Sequence, residues 1–272
     1  MPRDADRLVL DHYRGQAARH GDSAASTMED EVVRDKELAL IRRFFDRLVA
    51  QEEPPRRALE VGCGNGFTLR QLRQDHPGLD LSGLDFSLDM LAVARAAAPA
   101  DVRLLEADVR RLPFPAASFA AVLSERCLIN LLDPGEQDGA LREIARVLRP
   151  GGHCLMIECF TDGLALNNKA RVECGLEPIE PAHHNLYLDK ERFRAAIAGR
   201  LEPVDPAALD PEGGLAANFL SSHYFIARVL HPLVTRSEWV RNTEFVKFFA
   251  HLPPIGDYSP IQAHVLQRTP PP

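Results

Sequence analysis

An acid and three glycines alternate along Leu59-Glu60-Val61-Gly62-Cys63-Gly64-Asn65-Gly66. The run from Ala58 to Val61 is short and mostly apolar, and Leu69 and Leu72 begin a helical spacing behind the glycines. Strand, glycine turn and helix in that order open a nucleotide-binding α/β unit. Glycine admits positive φ and lets backbone approach a ligand that any Cβ would hold away. Spacing narrows the choice of ligand. A dinucleotide turn G-x-G-x-x-G would need its third glycine where Phe67 stands, and a triphosphate loop would end in G-K-[ST], which is missing here.

Two further acids follow at the ends of apolar runs. Asp85 closes Leu79–Asp85 and lies 19 residues beyond Gly66, close to the spacing of an acid that accepts from ribose hydroxyls. Asp108 closes Val102–Asp108 in the same way. Bases for proton removal are offered by His183-His184-Asn185-Leu186-Tyr187 and by Asn218-Phe219-Leu220-Ser221-Ser222-His223-Tyr224. Histidine titrates near neutrality, and a tyrosine face attracts a cation. From these clusters His184, Asn185 and Tyr187, then Ser221, Ser222 and His223, are the candidate site residues; the alternative for each histidine is a satisfied loop position. His183 and His184 make no metal site, since adjacent side chains point apart and no third ligand is evident. The five cysteines, at 63, 127, 154, 159 and 174, form no C-x-x-C pair, which predicts reduced thiols, mostly small core residues, with Cys63 and Cys127 near the ligand.

E-x-G-x-G-x-G resembles motif I of the class I S-adenosylmethionine (SAM)-dependent methyltransferases. The likeness extends through Asp85-Phe86-Ser87-Leu88-Asp89-Met90-Leu91, Arg111-Leu112-Pro113-Phe114, Ser118-Phe119-Ala120-Ala121-Val122-Leu123, and Arg146-Val147-Leu148-Arg149-Pro150-Gly151-Gly152. These five ordered motifs cover about residues 56–160. The resemblance implies SAM as cofactor. Gly62, Cys63, Gly64 and Gly66 would lie under its methionine and ribose, and Glu60 would support the ammonium. Asp85 would accept from the ribose, Phe86 and Met90 would pack near the adenosine, Asp108 would accept from the adenine amino group, and the Val109 backbone would meet a ring nitrogen. Ala120 departs from the family's usual aspartate.

Beyond the fourth strand, Glu125, Arg126 and Asn130 fall where family members face the transferred methyl. Glu125 and Arg126 read either as an internal pair or as the frame of a polar acceptor, and Asn130 either orients the acceptor or packs in a helix. Helices ahead of the first strand often cover the cofactor in this family, so Tyr13 and Arg34 are candidates to reach it. The competing reading makes Arg34, Asp35, Lys36 and Glu37 a solvated helix face.

The implied fold is α/β: a Rossmann-like, seven-stranded, mostly parallel sheet with helices on both faces, an antiparallel last strand and helical lid insertions. Residues 1–272 form a single domain on this reading, with an N-terminal helical cover at 1–50, the SAM-binding core at 56–160, and lids at 161–188 and 211–258. Helices are predicted over Asp6–Ala18 and from a capping box at Ser26–Glu29 to about Val49. A loop at Pro54-Pro55 follows. Strands are predicted at His153–Phe160, Leu201–Ala208 and Ile261–Gln267, and a helix capped by Asp189 is expected to run to about Ala198.

A net charge of −7 and a pI near 5.8 leave no basic excess for nucleic acid. No apolar run approaches 18 residues, and no signal-peptide pattern opens the chain, which predicts a cytoplasmic protein without a membrane partner. The expected reaction is methyl transfer to the oxygen or nitrogen of a polar small molecule, in sugar or specialised metabolism. Two alternatives stand: cyclisation of SAM to azetidine-2-carboxylate with release of methylthioadenosine, and SAM binding without catalysis. The sequence leaves the oligomeric state open.

Overall fold

The computed structural model describes residues 3–51, 56–237 and 240–270. The expected loop at Pro54-Pro55 and the only tryptophan, Trp239, lie outside them. In chain order the elements that build the site are α1 (Asp4–His20), α2 (Glu31–Gln51), β1 (Arg57–Val61), α3 (Phe67–Asp75), β2 (Asp80–Asp85), α4 (Leu88–Ala97), β3 (Arg103–Glu106) and β4 (Phe119–Glu125). The second half adds α5 (Pro134–Val147), β5 (Leu148–Cys159), α6 (Thr161–Glu173), α7 (Lys190–Ile197), β6 (Leu201–Pro203) and β7 (Ile261–Arg268).

The seven strands form one sheet in the order β3-β2-β1-β4-β5-β7-β6. β1 pairs in parallel with both β2 and β4, whereas β7 runs antiparallel to β5, with Leu155 opposite Val265. The chain therefore winds outward from β1 in one direction and then restarts beside it in the other. Ligand clefts in open α/β sheets lie beyond the carboxyl ends of the strands at such a reversal. All of β4 is buried, as a parallel strand covered on both faces must be. α2 contributes Ile41, Phe44, Phe45 and Leu48 to the core, each at most 1% exposed.

Three local expectations are corrected. α2 begins at Glu31, not in the Ser26 box: Asp30 Oδ1 accepts from Val33 N at 3.2 Å and acts as its cap, while Ser26 donates to Met90 Sδ at 3.7 Å. β6 stops at Pro203 because Asp205 caps a short helix, Pro206–Leu209, by accepting from Ala207 N at 3.0 Å. β5 starts at Leu148 and not at His153, and the Pro150-Gly151-Gly152 segment lies within it at a register irregularity against Phe119 and Ala121. Asp189 does cap α7, accepting from Arg192 N at 2.8 Å. None of the described helices is long and apolar enough to cross a membrane.

Candidate functional site

A cleft with about 950 Å³ of empty space, part of it open to solvent, lies beyond the carboxyl ends of β1, β2 and β4 under α1. Its floor is the glycine turn. Gly62 and Gly64 have φ of +69° and +53°, the left-handed region. A Cβ on Gly62 would fall 2.6 Å from Cys127 Sγ, and one on Gly64 would fall 2.9 Å from Thr27 Cγ2. The turn is held by Asp85, whose Oδ2 accepts from Gly64 N at 2.7 Å and whose Oδ1 accepts from Ser87 N at 2.8 Å. Each carboxylate oxygen retains a second lone pair, so Asp85 can still receive ligand hydroxyls.

Beneath the turn sits a buried group of charges. Arg34 donates to Glu125 Oε1 at 2.5 Å and to Thr27 Oγ1 at 2.5 Å, while Thr68 Oγ1 donates to Glu125 Oε2 at 2.9 Å. Arg126 reaches Glu125 Oε1 at 3.3 Å and pairs with Glu37. Burial works against the Glu125 charge, but Arg34, Arg126 and the Thr68 hydroxyl outweigh it and hold the carboxyl well below its usual range. Glu37 pairs with Arg126 and meets Arg34 only at 3.9 Å, and burial outweighs both and pushes it up. Arg126 adopts φ +52°, a strained conformation for a non-glycine residue, with its N–H donating to Ile157 O at 2.7 Å.

Glu60 completes the group. It is 3% exposed, and its Oε2 has no hydrogen-bond partner among the described residues. Burial, then the Glu125 charge, push it well above the carboxylate range. Three carboxylates (Glu37, Glu60, Glu125) thus share two guanidiniums (Arg34, Arg126). Burial and the Glu125 charge hold Glu60 toward its neutral form, and a cation bound in the cavity would favour its charged form and give its free oxygen a partner. The ammonium and sulfonium of SAM supply such a cation, and Asp85 suits its ribose, so the residues present fit the cofactor.

The loop after β4 is shaped by a residue no motif pointed to. Glu158, fully buried on β5, accepts from Ser124 Oγ at 2.6 Å, Cys127 N at 3.0 Å and Leu128 N at 3.1 Å. That anchor brings Cys127 and Asn130 to the wall. Burial, followed by neighbouring carboxylates, raises the Cys127 and Cys63 thiols far above their ordinary value, which suits packing and not nucleophilic attack.

α1 roofs the cleft through Asp6, Val9, Leu10 and Tyr13. The Tyr13 hydroxyl lies 3.1 Å from Asn130 Nδ2, which also donates to Arg126 O at 3.0 Å. On the outer side of α1, His12 stacks on His184 with ring centroids 3.7 Å apart, and His183 meets His184 edge-on. Burial first, then the His12 and His183 charges, push His184 from 6.5 down to about 4, and burial also lowers His12. Folding thus favours neutral rings. The contact is intact above about 6.5 and is lost as pH falls from there toward 4. Hydrogen exchange of residues 4–20 should accelerate across that window, and His184→Phe should flatten the response. An unchanged pH dependence in the variant would remove the stack as its cause.

Of the residues singled out from sequence, Glu60, Gly62, Cys63, Gly64, Asp85, Phe86, Asp108, Val109, Glu125, Asn130 and Tyr13 all line the cleft. Gly66 and Met90 sit behind the turn, where a Cβ on Gly64 would come within 3.2 Å of Met90 Cε. Arg34 also lies behind the wall. It is 4% exposed and Glu37 is 0%, so the solvated-face reading fails for both: Glu125 and Arg126 draw them inward.

His184, Tyr187 and Ser222 are not brought to the cleft. His184 is held outside α1 by His12, and Tyr187 packs against the core. Ser222 donates to Pro253 O at 2.6 Å and accepts from Ile255 N at 3.0 Å, so its hydroxyl is spent within the 211–258 segment. Ser221 is likewise bonded to Ile255 O, and His223 is paired with Asp30. Asp6, Thr27, Thr68 and Arg110 line the wall without having been foreseen. Thr68 and Arg110 each lie two residues from a motif position, a proximity that gave a usable signal; Asp6 offered none.

A family description of a methyltransferase domain matches residues 58–152. The chain is 40% identical over 120 residues to a demethylmenaquinone methyltransferase of Thermus thermophilus, covering 43% of this chain and 52% of that protein. It is 33% identical over 162 residues to a malonyl-[acyl-carrier protein] O-methyltransferase of Enterobacter lignolyticus, covering 59% of this chain and 61% of the relative. The chain spans about half the length of the first of these relatives. Among solved structures, a chain of the complex containing the Haloferax volcanii Trm112 methyltransferase activator aligns over 99% of both chains with a TM-score of 0.51. At 19% identity that likeness speaks for the fold alone.

Proposed function

We propose that this chain, whose residues 58–152 match a methyltransferase domain family, is a class I SAM-dependent enzyme that transfers the methyl group of SAM to oxygen or nitrogen of a polar small molecule. The observation that carries the reading is Glu60: a buried carboxyl with an unpaired oxygen on the wall of the cleft, whose charged form a sulfonium ligand would favour. Glu60 and Glu125 would hold the methionine end, Asp85 the ribose, and Asp108 with the Val109 backbone the adenine.

SAM supplies an electrophilic methyl on a positively charged sulfur. What the chain adds is alignment and exclusion of water. Tyr13 and Asn130, hydrogen-bonded to each other at the wall beside Arg126, are the groups that would orient an acceptor. Burial pushes the Tyr13 hydroxyl up to about 12, so it stays protonated and acts as a hydrogen-bond partner and not as a base. The roof formed by α1 narrows the cleft, which suits a small acceptor better than a macromolecule, and the net charge of −7 leaves no basic excess for nucleic acid. Sugar or specialised metabolism is the expected setting, in the cytoplasm.

Calorimetry with S-adenosylhomocysteine, and with NAD as control, tests the cofactor. Binding of the first and not the second is expected, and the reverse would sink the reading. Mass spectrometry after incubation with SAM and a panel of hydroxyl and amine acceptors then scores S-adenosylhomocysteine release. Methylthioadenosine formed from SAM alone, with a product of azetidine-2-carboxylate mass, would replace methyl transfer by cyclisation. Tight binding with neither product across the panel would point to a non-catalytic SAM-binding role.

A further inference from the structure

We propose that Arg110 is a clasp coupling recognition of the cofactor's adenine to the seating of α1, an inference that rests on the SAM reading above. Arg110 joins parts of the chain that are distant in sequence. Its Nε lies 2.9 Å from Asp108 Oδ1 and 2.8 Å from Oδ2, with Nη2 at 2.5 Å from Oδ2. Its Nη1 lies 3.0 Å from Asp6 Oδ1 on α1 and 3.1 Å from Glu136 Oε2 on α5. The guanidinium carbon is 5.8 Å from the centre of the Phe86 ring. Asp6, Phe86, Asp108 and Arg110 all line the cleft.

One planar cation therefore binds both the acid meant for the adenine amino group and the first turn of the roof. Arg3 strengthens the same knot, donating from Nη2 to Asp6 Oδ1 at 3.0 Å and to Glu136 Oε2 at 2.7 Å. The knot then holds three carboxylates for two guanidiniums. Seating α1 strips water from it, so its excess negative charge costs more when the roof is down. Three N–H groups of Arg110, its backbone N at 2.8 Å from Oδ1 included, bear on the roughly four lone-pair positions of the Asp108 carboxylate, which leaves room for one more donor. An N–H donated there by a ligand offsets the excess, and does so more strongly with α1 seated than lifted. A ligand with unequal affinity for the two arrangements shifts the equilibrium between them, and the coupling is reciprocal. Adenine thus closes the roof, and the seated roof tightens the hold on adenine.

The experiment compares S-adenosylhomocysteine with S-inosylhomocysteine, whose ring carries an oxo group in place of the amino donor. Full-length wild type, Arg110→Met and Asp6→Asn are followed by calorimetry and by hydrogen exchange of residues 4–20. Wild type should bind the adenosyl ligand roughly tenfold tighter and protect residues 4–20 more with it. In both variants S-adenosylhomocysteine should still bind, but the difference in protection between the ligands should vanish. Asp6→Asn, on α1 and outside the sheet, keeps the test decisive if Arg110→Met does not fold. Equal protection by both ligands in wild type, or a difference that survives in the variants, overturns the clasp alone. No binding of S-adenosylhomocysteine to wild type overturns the SAM reading and the clasp with it.

Discussion

Asp85→Ala should abolish cofactor binding and loosen the glycine turn at once. The carboxylate accepts from Gly64 N at 2.7 Å and from Ser87 N at 2.8 Å. Removing it leaves both N–H groups without acceptors at the mouth of the cleft, and each such loss costs about 1–3 kcal/mol. Urea unfolding should therefore report about 2 kcal/mol or more of lost stability. The same change removes the acceptor for two ribose hydroxyls. Two hydrogen bonds to a charged group, at about 1.5–3 kcal/mol each, correspond to at least about a hundredfold in affinity. Calorimetry with S-adenosylhomocysteine checks it. Asp85→Asn separates the effects: it can keep one backbone acceptor, so it should retain more stability than binding. Unchanged affinity in Asp85→Asn would show that the acid serves the turn and not the ligand.

The second large effect is expected at Glu125. Its side chain is 5% exposed and lies between Arg34 and Arg126 with Thr68 donating to its other oxygen. Glu125→Ala removes the short carboxylate contact of Arg34 and leaves both guanidiniums to share Glu37, which Arg34 meets only at 3.9 Å. Removing one member of a buried ion pair costs about 3–5 kcal/mol because the remaining charge stays out of water. Denaturant unfolding should show that loss. Adding Arg34→Met to Glu125→Ala should restore a substantial part, since the orphaned charge is then gone. A double variant no more stable than Glu125→Ala would place the cost in packing around Thr68 and not in the unpaired cation.

How much of this was legible beforehand differs from place to place, for identifiable reasons. The glycine turn and the acids Asp85 and Asp108 follow from local rules, positive φ at fixed offsets and an acid at a strand's carboxyl end, whereas the mostly parallel seven-stranded sheet is what the family resemblance implied and its strand order is seen only in the structure. The turn and the acids are each encoded within a few residues, so the chain displays them directly. The start of α2 was misplaced because Ser26 and Asp30 are both able caps, and only packing against Met90 decides that Ser26 turns elsewhere.

The charged residues were harder still. Arg34 and Glu37 read as an outer helix face until Glu125 and Arg126, some ninety positions away, are brought beneath them. Glu158 gives no motif, yet it holds the loop that presents Cys127 and Asn130. The histidine and serine clusters looked like bases by density alone. In the fold their hydrogen bonds and ring contacts are taken up by neighbours, His184 by His12 and Ser222 by Pro253 and Ile255. The sequence by itself determined the cofactor turn and the acids at the strand ends, because backbone conformation and burial period are local properties. Only the tertiary structure decided which charges are buried together, which loop side chains are spent on their own segment, and which helix roofs the cleft, because each depends on contacts between residues far apart in the chain.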